Sequence, residues 1–112
     1  MAGWIKLHRS MLEWEWYGDI NGMRLFTHCL LRANHKDKKW RGMDINRGQF
    51  YTSLDTLREE TGLTSMQLRT CFSKLKATGE VTSSGMARGR MVTVVKYDEY
   101  QDHDRLKPTT NK

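Results

Sequence analysis

The sequence contains few of the residues and motifs from which catalytic, metal and disulfide sites are usually built. Its two cysteines, Cys29 and Cys71, lie in apolar stretches and have neither the number nor the spacing of a disulfide framework or a zinc site. The histidines show no metal-ligand spacing; they are His8, His28, His35 and His103. A glycine-rich phosphate loop, a nucleophile elbow and paired carboxylates are also missing. We therefore expect no metal, no cofactor and no enzymatic activity, and a reducing compartment.

Long apolar runs are missing as well. No run approaches the roughly 18 residues that a membrane-spanning helix needs, and the N-terminus lacks the continuous apolar core of a signal peptide. Negative charge is the scarcer sign, with 13 Asp and Glu against 19 Lys and Arg, which gives a net charge of +6. We expect a cytoplasmic protein without a membrane partner, and the charge favours a polyanionic partner without identifying it.

The chain does contain enough bulky side chains for one small domain. Its 112 residues include four Trp, four Tyr, three Phe and seven Met, and domains usually have about 100–150 residues. A disordered segment would not carry so many aromatic residues. We expect one folded domain with a small core.

Residues 1–20 are predicted to form an N-terminal arm and a short helix. Residues 3–9 alternate partly between apolar and polar side chains, as in a short strand or an extended arm. Ser10 and Glu13 have the spacing of a capping box, and Gly18 is placed to end the helix. This segment carries more apolar surface than one side of a small helix buries, so we expect part of it to contact a second copy of the chain. The candidate self-association residues are Trp4, Ile5, Leu7, Trp14 and Trp16.

The next part is predicted to contain a helix, a charged loop and a turn. The apolar spacing predicts a helix over residues 21–34, in which the opposite face is basic. The apolar face has Met23, Phe26, Leu30 and Ala33, and the opposite face has Arg24, His28 and Arg32. Residues 35–42 are predicted to be a charged loop. Within residues 43–52, the turn residues 46–48 indicate either a short hairpin or a turn leading into one strand.

Two short helices with a tight connection follow. Ser53 is predicted to cap the first, which ends at Gly62. Thr64 and Gln67 have the spacing of a capping box for the second, and residues 63 and 68 have that of a hydrophobic staple. The second helix carries Leu68, Cys71, Phe72 and Leu75 on one face and is predicted to end at Gly79. Two short helices joined by a glycine-containing turn are the signature of a helix-turn-helix.

Beyond Gly79 the apolar period changes to two. Residues 81–84 and 91–97 are predicted strands, and the loop between them, residues 85–90, is basic and contains two glycines. A helix-turn-helix followed by such a hairpin predicts an α+β winged helix-turn-helix domain over residues 21–100. Residues 101–112 are then a polar tail or a linker to a further region.

The outward face of the second helix of the pair is the main candidate DNA-binding surface. Its candidate residues are Ser65, Met66, Gln67, Arg69, Thr70, Ser73 and Lys74, with Lys76 beside them. Arg can bind guanine and Gln can bind adenine in the major groove. In the wing, Arg88 and Arg90 are placed to approach the DNA backbone or the minor groove, with Gly89 allowing a close turn. The alternative is a solvated helix face and a solubilising charge at a loop tip.

The charge pattern favours the DNA-binding interpretation. Residues 63–79 contain three basic residues and no acid, and so do residues 81–96. Four acids follow the wing: Asp98, Glu99, Asp102 and Asp104. The charged loop, in which Lys36, Lys38, Lys39 and Arg41 surround Trp40, is either a second phosphate-contacting patch or a solvated connection.

With these residues identified, the chain resembles the N-terminal winged-helix domain of phage and mobile-element replication initiators, the replisome-organiser group related to the DnaD primosome protein. The similarity covers about residues 3–101 and rests on six segments: GWIKLHRS, WEWY, ANHKDKKWRG, RGQFYTS, TGLTSMQLRTCFSKLKATGEV and VVKYDEYQ.

The resemblance implies binding to double-stranded DNA at a replication origin, in a bacterial host's cytoplasm and associated with the nucleoid. It also implies a homodimer or higher oligomer, and a further C-terminal region that recruits a replicative helicase or its loader. Two other functions fit the same residues. One is a winged-helix transcriptional regulator, and the other is a primosome interaction and oligomerisation module.

Overall fold

The computed structural model describes residues 3–86 and 89–102, and these form an α+β domain, as predicted. Its helices are α1 (Ile20–Arg32), α2 (Leu54–Thr61), α3 (Ser65–Ala77) and α4 (Tyr97–Gln101). Its strands are β1 (Lys38–Trp40), β2 (Met43–Ile45), β3 (Gln49–Thr52), β4 (Val81–Met86) and β5 (Gly89–Val94). A short 3₁₀ helix (Arg9–Glu13) precedes α1. None of the helices in the described ranges is long and apolar enough to cross a membrane.

The α2–α3 pair begins and ends where the local sequence predicts. Ser53 Oγ accepts a hydrogen bond from the Thr56 amide at 3.2 Å, and Gly62 ends α2 in the left-handed conformation at φ 81°. At the start of α3, Thr64 Oγ1 accepts from the Gln67 amide and Gln67 Oε1 accepts from the Thr64 amide, which confirms the predicted capping box.

The core lies between the helices and one face of a three-stranded antiparallel sheet with the order β3-β5-β4. Phe50, Val81, Val92 and Val94 point from the sheet into this core. The predicted second strand of the wing is too long, because β5 ends at Val94 and the chain turns into α4. Tyr97 is buried in the core at the start of α4, and this packing requires the turn.

The N-terminal segment differs from its prediction. It is an extended arm followed by the five-residue 3₁₀ helix, which has no side-chain cap and ends before Gly18. The predicted Ser10–Glu13 capping box is therefore wrong. The physical reason is tertiary, since Trp14 packs on Phe26 with ring centroids 4.8 Å apart and donates from Nε1 to Glu80 at 3.0 Å.

The charged loop of residues 35–42 is also predicted wrongly, because β1 and β2 pair there as an antiparallel hairpin. Its turn residues Arg41 and Gly42 have φ of 51° and 79°, and two positive φ values are the feature of a type I′ hairpin turn. β3 pairs with β5 along its length, Gln49 opposite Thr93 and Thr52 opposite Arg90. The turn at residues 46–48 therefore leads into a strand of the main sheet.

The basic face of α1 contacts α2. Arg24 donates to the carbonyl oxygens of Glu60 and Thr61, both at 3.1 Å, and so covers the C-terminal end of α2. The Glu60 carboxylate bonds to His28 at 2.8 Å and to Arg32 at 2.5 Å. Burial raises the pKa of Glu60, but the hydrogen bond from His28 and the charge of Arg32 outweigh it and the pKa is lowered overall. These contacts fix α1 against α2.

Candidate nucleic-acid interface

Helix α3 presents a wide exposed face that contains no acidic residue. Four buried residues hold the opposite face in the core, as predicted: Leu68, Cys71, Phe72 and Leu75. The exposed side chains are Met66, Gln67, Arg69, Thr70, Ser73 and Lys76. Met66, an apolar side chain, is 75% exposed at the start of this face. The face therefore presents the cationic side chains of Arg69 and Lys76 together with hydroxyl and amide groups.

Two of the residues predicted for this face are engaged within the domain. Lys74 Nζ lies 2.8 Å from Asp19 Oδ2 and 5.7 Å from the ring centre of Trp16, so it is directed toward the start of α1. The hydrogen bond from Lys74 lowers the pKa of Asp19, and the same bond raises the pKa of Lys74. Lys74 is therefore paired within the domain, and its predicted contact with DNA stays a prediction.

Gln67 is exposed, but its amide oxygen is bound to the Thr64 backbone amide at 2.9 Å. Recognition of adenine by glutamine uses both the oxygen and the nitrogen of the amide. Because the capping bond occupies the oxygen, the predicted pairing with adenine would compete with the helix cap. Ser65 is half-buried beside it at the first position of α3. Arg69, Thr70 and Ser73 are the other predicted polar residues exposed on this face of α3.

The β4–β5 hairpin lies next to α3, and Arg90 occupies the seam between them. Its guanidinium lies 5.9 Å from the ring centre of Phe72 on α3 and donates to Ser83 Oγ at 3.3 Å. Arg90 is opposite Gly85 and Thr52 in the sheet, so it belongs to β5 rather than to the predicted loop. Arg88, the other wing residue predicted to contact DNA, lies outside the described residues.

Gly89 is required for packing rather than for the predicted turn. A Cβ at this position would lie 2.3 Å from the Thr52 carbonyl oxygen and 2.8 Å from the Tyr51 hydroxyl. The hairpin and β3 therefore approach each other more closely here than any side chain at residue 89 permits. The close approach holds the turn end of the hairpin against β3.

The charges of the sheet are separated along its length. The acids that follow β5 belong to α4 and its C-cap, at the end of the sheet remote from the β4–β5 turn. Asp102 accepts two hydrogen bonds from Arg47, at 2.8 and 3.1 Å, and Asp98 lies 3.4 Å from the same guanidinium. Asp104 lies outside the described residues. The acid-free wing and the acids that follow it in the sequence are therefore also separated in space. Among the described residues, Arg90 lies at one end of the sheet and the acids of α4 and its C-cap lie at the other.

The β1–β2 hairpin carries the second basic patch. Trp40 contacts two side chains. The Arg41 guanidinium is 4.6 Å from the centre of the Trp40 ring, and the centroids of the Trp40 and Tyr51 rings are 5.4 Å apart. Lys39 is paired with Asp44 at 2.7 Å. Lys36, Lys38 and Arg41 are exposed and have no acidic partner within residues 3–86 and 89–102. Sequence reasoning missed Tyr51, because nothing in the local pattern connects it to Trp40.

The candidate self-association residues divide into two groups. Ile5, Trp14 and Trp16 pack against the domain's own core, and Trp16 Nε1 donates to Thr78 at 3.1 Å. They therefore have an intramolecular role that the sequence did not indicate. Trp4 and Leu7 are 68% and 58% exposed on the arm.

Both cysteines are buried. Burial raises the pKa of the Cys29 thiol to about 12, and it raises the pKa of Cys71 as well. No group of three His, Cys, Asp or Glu among the described residues could hold a metal ion. His103 lies outside those residues.

Comparisons with protein-family models, with curated proteins and with solved structures found no match to this chain.

Proposed function

We propose that the chain is a winged helix-turn-helix domain that binds double-stranded DNA. In this proposal, α2 and α3 form the helix-turn-helix, α3 enters the major groove and the β4–β5 hairpin is the wing that contacts the adjacent backbone. The order β3-β5-β4 and the position of the hairpin directly after α3 support the winged-helix assignment.

One observation carries the proposal: α3 has a basic exposed face without any acid, and the hairpin beside it places Arg90 at the seam. DNA has one phosphate charge per about 1.7 Å of helix axis, so an acid on a groove-facing helix would be repelled. Arg69 lies near the middle of the exposed face and has no acidic partner within the described residues. We assign base recognition to Arg69, with Thr70 and Ser73 beside it, and backbone contacts to Lys76 and Arg90.

The biological setting that we propose is replication initiation, with the domain recognising origin DNA. The six segments that resemble replisome organisers support this setting, and they include the complete α2–α3 connection. A transcriptional regulator would use the same face. Footprinting on DNA from the source genome separates the two, because an initiator protects repeated sites in an origin and a regulator protects a palindrome beside its own gene.

Fluorescence anisotropy with labelled duplexes at several salt concentrations tests DNA binding. We expect the logarithm of the association constant to fall linearly with the logarithm of the salt concentration, by about 0.9 for each phosphate contact. Lys76→Ala should reduce this slope by about 0.9 on every duplex. Arg69→Ala should weaken binding to the preferred sequence by about 1–3 kcal/mol and relax the sequence preference.

Lys96→Ala is the matched control for these variants. Lys96 is exposed, carries the same charge and lies between β5 and α4, at the acidic end of the sheet. Its removal changes the net charge by the same amount as Lys76→Ala, and we expect no change of slope. Binding that does not depend on salt, or equal effects of the two lysine variants, would refute the proposed interface.

A further inference from the structure

The β1–β2 hairpin lies beside the proposed wing, and its turn is directed to the same end of the sheet. Residue 52 at the end of β3 pairs with Arg90, and Met86 pairs with Gly89 at the end of the β4–β5 hairpin. Tyr51 therefore lies at the wing end of the sheet. Because the Trp40 ring stacks on Tyr51, the Arg41–Gly42 turn next to Trp40 is at that end as well.

A continuous set of contacts connects the two hairpin turns. Trp40 packs on Tyr51, whose hydroxyl would lie 2.8 Å from a Cβ at Gly89, and Arg90 follows Gly89 and lies over Phe72 of α3. The order of these contacts is the β1–β2 turn, β3, the β4–β5 hairpin and then α3. Tyr51 is opposite Met91 and Arg90 is opposite Thr52, so Tyr51 and Arg90 lie on opposite faces of the sheet. The second basic patch therefore shares the wing end of the sheet with Arg90, on the face that α3 does not cover.

The cations of this patch suit a phosphate backbone. The Arg41 guanidinium lies over the Trp40 ring, 4.6 Å from its centre, and this contact reduces the conformational entropy that binding a phosphate would cost. Lys38 is exposed on the neighbouring strand and has no acidic partner in the part of the chain that the structure describes. The only acid on β1 and β2, Asp44, is neutralised by Lys39. Two cations are thus available for a ligand, and neither must first break an ion pair.

We propose that the β1–β2 hairpin is a second wing, which contacts the phosphate backbone of the same DNA duplex through Arg41 and Lys38. Trp40 is a positioning residue that holds the Arg41 guanidinium. This inference rests on the proposed function, since it adds the β1–β2 hairpin to the DNA contacts proposed for α3 and the first wing. Of the two interpretations of the charged loop, it selects the phosphate-contacting patch over the solvated connection.

The test removes the charges without unfolding the hairpin. Arg41→Asn is suitable because Asn-Gly is a preferred sequence for a type I′ turn, so the hairpin should persist. Lys38→Asn removes the second charge, and Lys96→Asn at the acidic end of the sheet is the matched control. Circular dichroism and urea unfolding confirm that each variant is folded.

The readout is the salt dependence of duplex binding. A contact with a slope of 0.9 contributes about 8-fold in affinity between 1 M and 0.1 M salt, so Arg41→Asn should weaken binding by up to about 8-fold at 0.1 M salt. The double variant with Lys38→Asn should reduce the slope by about 1.8. Lys96→Asn should change neither quantity. Hydroxyl-radical footprinting should show that protection of the backbone shortens at one edge in the double variant and keeps its length in Arg69→Ala.

Trp40 is tested by rescue. Trp40→Ala should reduce the slope as Arg41→Asn does, and Trp40→Phe should restore it because an aromatic face remains under Arg41. A reduced slope in both Trp40 variants with an unchanged slope in Arg41→Asn would overturn the positioning role.

The outcomes separate this inference from the proposed function. If the wild-type domain binds duplexes and Lys76→Ala reduces the slope while the hairpin variants match Lys96→Asn, the second wing is refuted and the proposed function stands. If the wild-type domain does not bind duplex DNA, both fail. Loss of binding to single strands but not to duplexes in the hairpin variants would also refute the second wing, because it would indicate base stacking on Trp40 instead.

Discussion

Substitution of Gly89 by alanine tests the close contact between β5 and β3. The new Cβ would lie 2.3 Å from the Thr52 carbonyl oxygen, whereas real Cβ atoms essentially never come closer than 3.0 Å to such an atom. Strand β3 must therefore move away from β5 by about 0.7 Å or more at this point. Because the obstructing atom belongs to the backbone, a change of side-chain rotamer cannot relieve the overlap.

The expected cost follows from what this movement disrupts. Overpacking of this kind costs about 1–3 kcal/mol, and the last hydrogen bonds between β3 and β5 contribute about 0.5–1.5 kcal/mol each. The lower entropy of the unfolded alanine chain offsets about 0.4–1 kcal/mol. We expect Gly89→Ala to lower the free energy of unfolding by about 2 kcal/mol, which corresponds to a decrease of about 1–2 M in the urea midpoint for a domain of this size.

Urea unfolding followed by tryptophan fluorescence measures this change, and Gly85→Ala is the matched control. Gly85 lies on the neighbouring strand β4, and a Cβ there would meet nothing within 4 Å. We expect Gly85→Ala to be neutral or slightly stabilising. Tyr51→Ala should not rescue Gly89→Ala, because it removes only the side-chain part of the overlap. Equal midpoints for the two glycine variants, or full rescue by Tyr51→Ala, would refute the reasoning.

Three further predictions concern contacts that hold the domain together. Asp19→Asn keeps a capping side chain at α1 but loses the ion pair with Lys74. Because the folded pKa of Asp19 is below 3.8, the variant should be less stable than wild type above that pH, and the difference should disappear as the pH falls through the lowered pKa. Urea unfolding at pH 7 and pH 2.5 measures this. Thr64→Ala removes one half of the capping box with Gln67 and should cost about 1 kcal/mol in thermal unfolding, and an unchanged midpoint would contradict the cap's role. The two carboxylate oxygens of Glu80 accept hydrogen bonds from the Trp14 indole and from a tyrosine hydroxyl, and Glu80→Gln replaces one of these oxygens. The variant should lower the free energy of unfolding by about 1–3 kcal/mol and change the tryptophan emission. Stability equal to wild type would refute this assignment.

The elements that local sequence predicted well are those whose hydrogen bonds close within three or four residues. The caps at Ser53 and Thr64 bond to amides three residues further along the chain, so their residue types were sufficient. The buried face of α3 followed from helical spacing for the same reason, since Leu68, Cys71 and Leu75 share a side of any helix.

Predictions failed where a distant partner determines the structure. Residues 35–42, which include β1, were predicted as a loop because most of them are charged, while Trp40 packs on Tyr51 from another strand. The candidate site changed for similar reasons. Lys74 has the spacing of an outward residue, but Asp19, 55 positions away, binds it.

The sequence alone therefore determined the charge asymmetry, the α+β class and the limits of α2 and α3, since these depend on residue type and on contacts between near neighbours. Only the tertiary structure decided which basic residues are available to a partner. Ion pairs and aromatic stacking join residues that are far apart in the chain, and these contacts engage Lys74 within the domain and leave Arg69, Lys76 and the Arg41 hairpin exposed. The stretches without acidic residues are thus helix α3 and strands β4 and β5, which lie side by side in the domain.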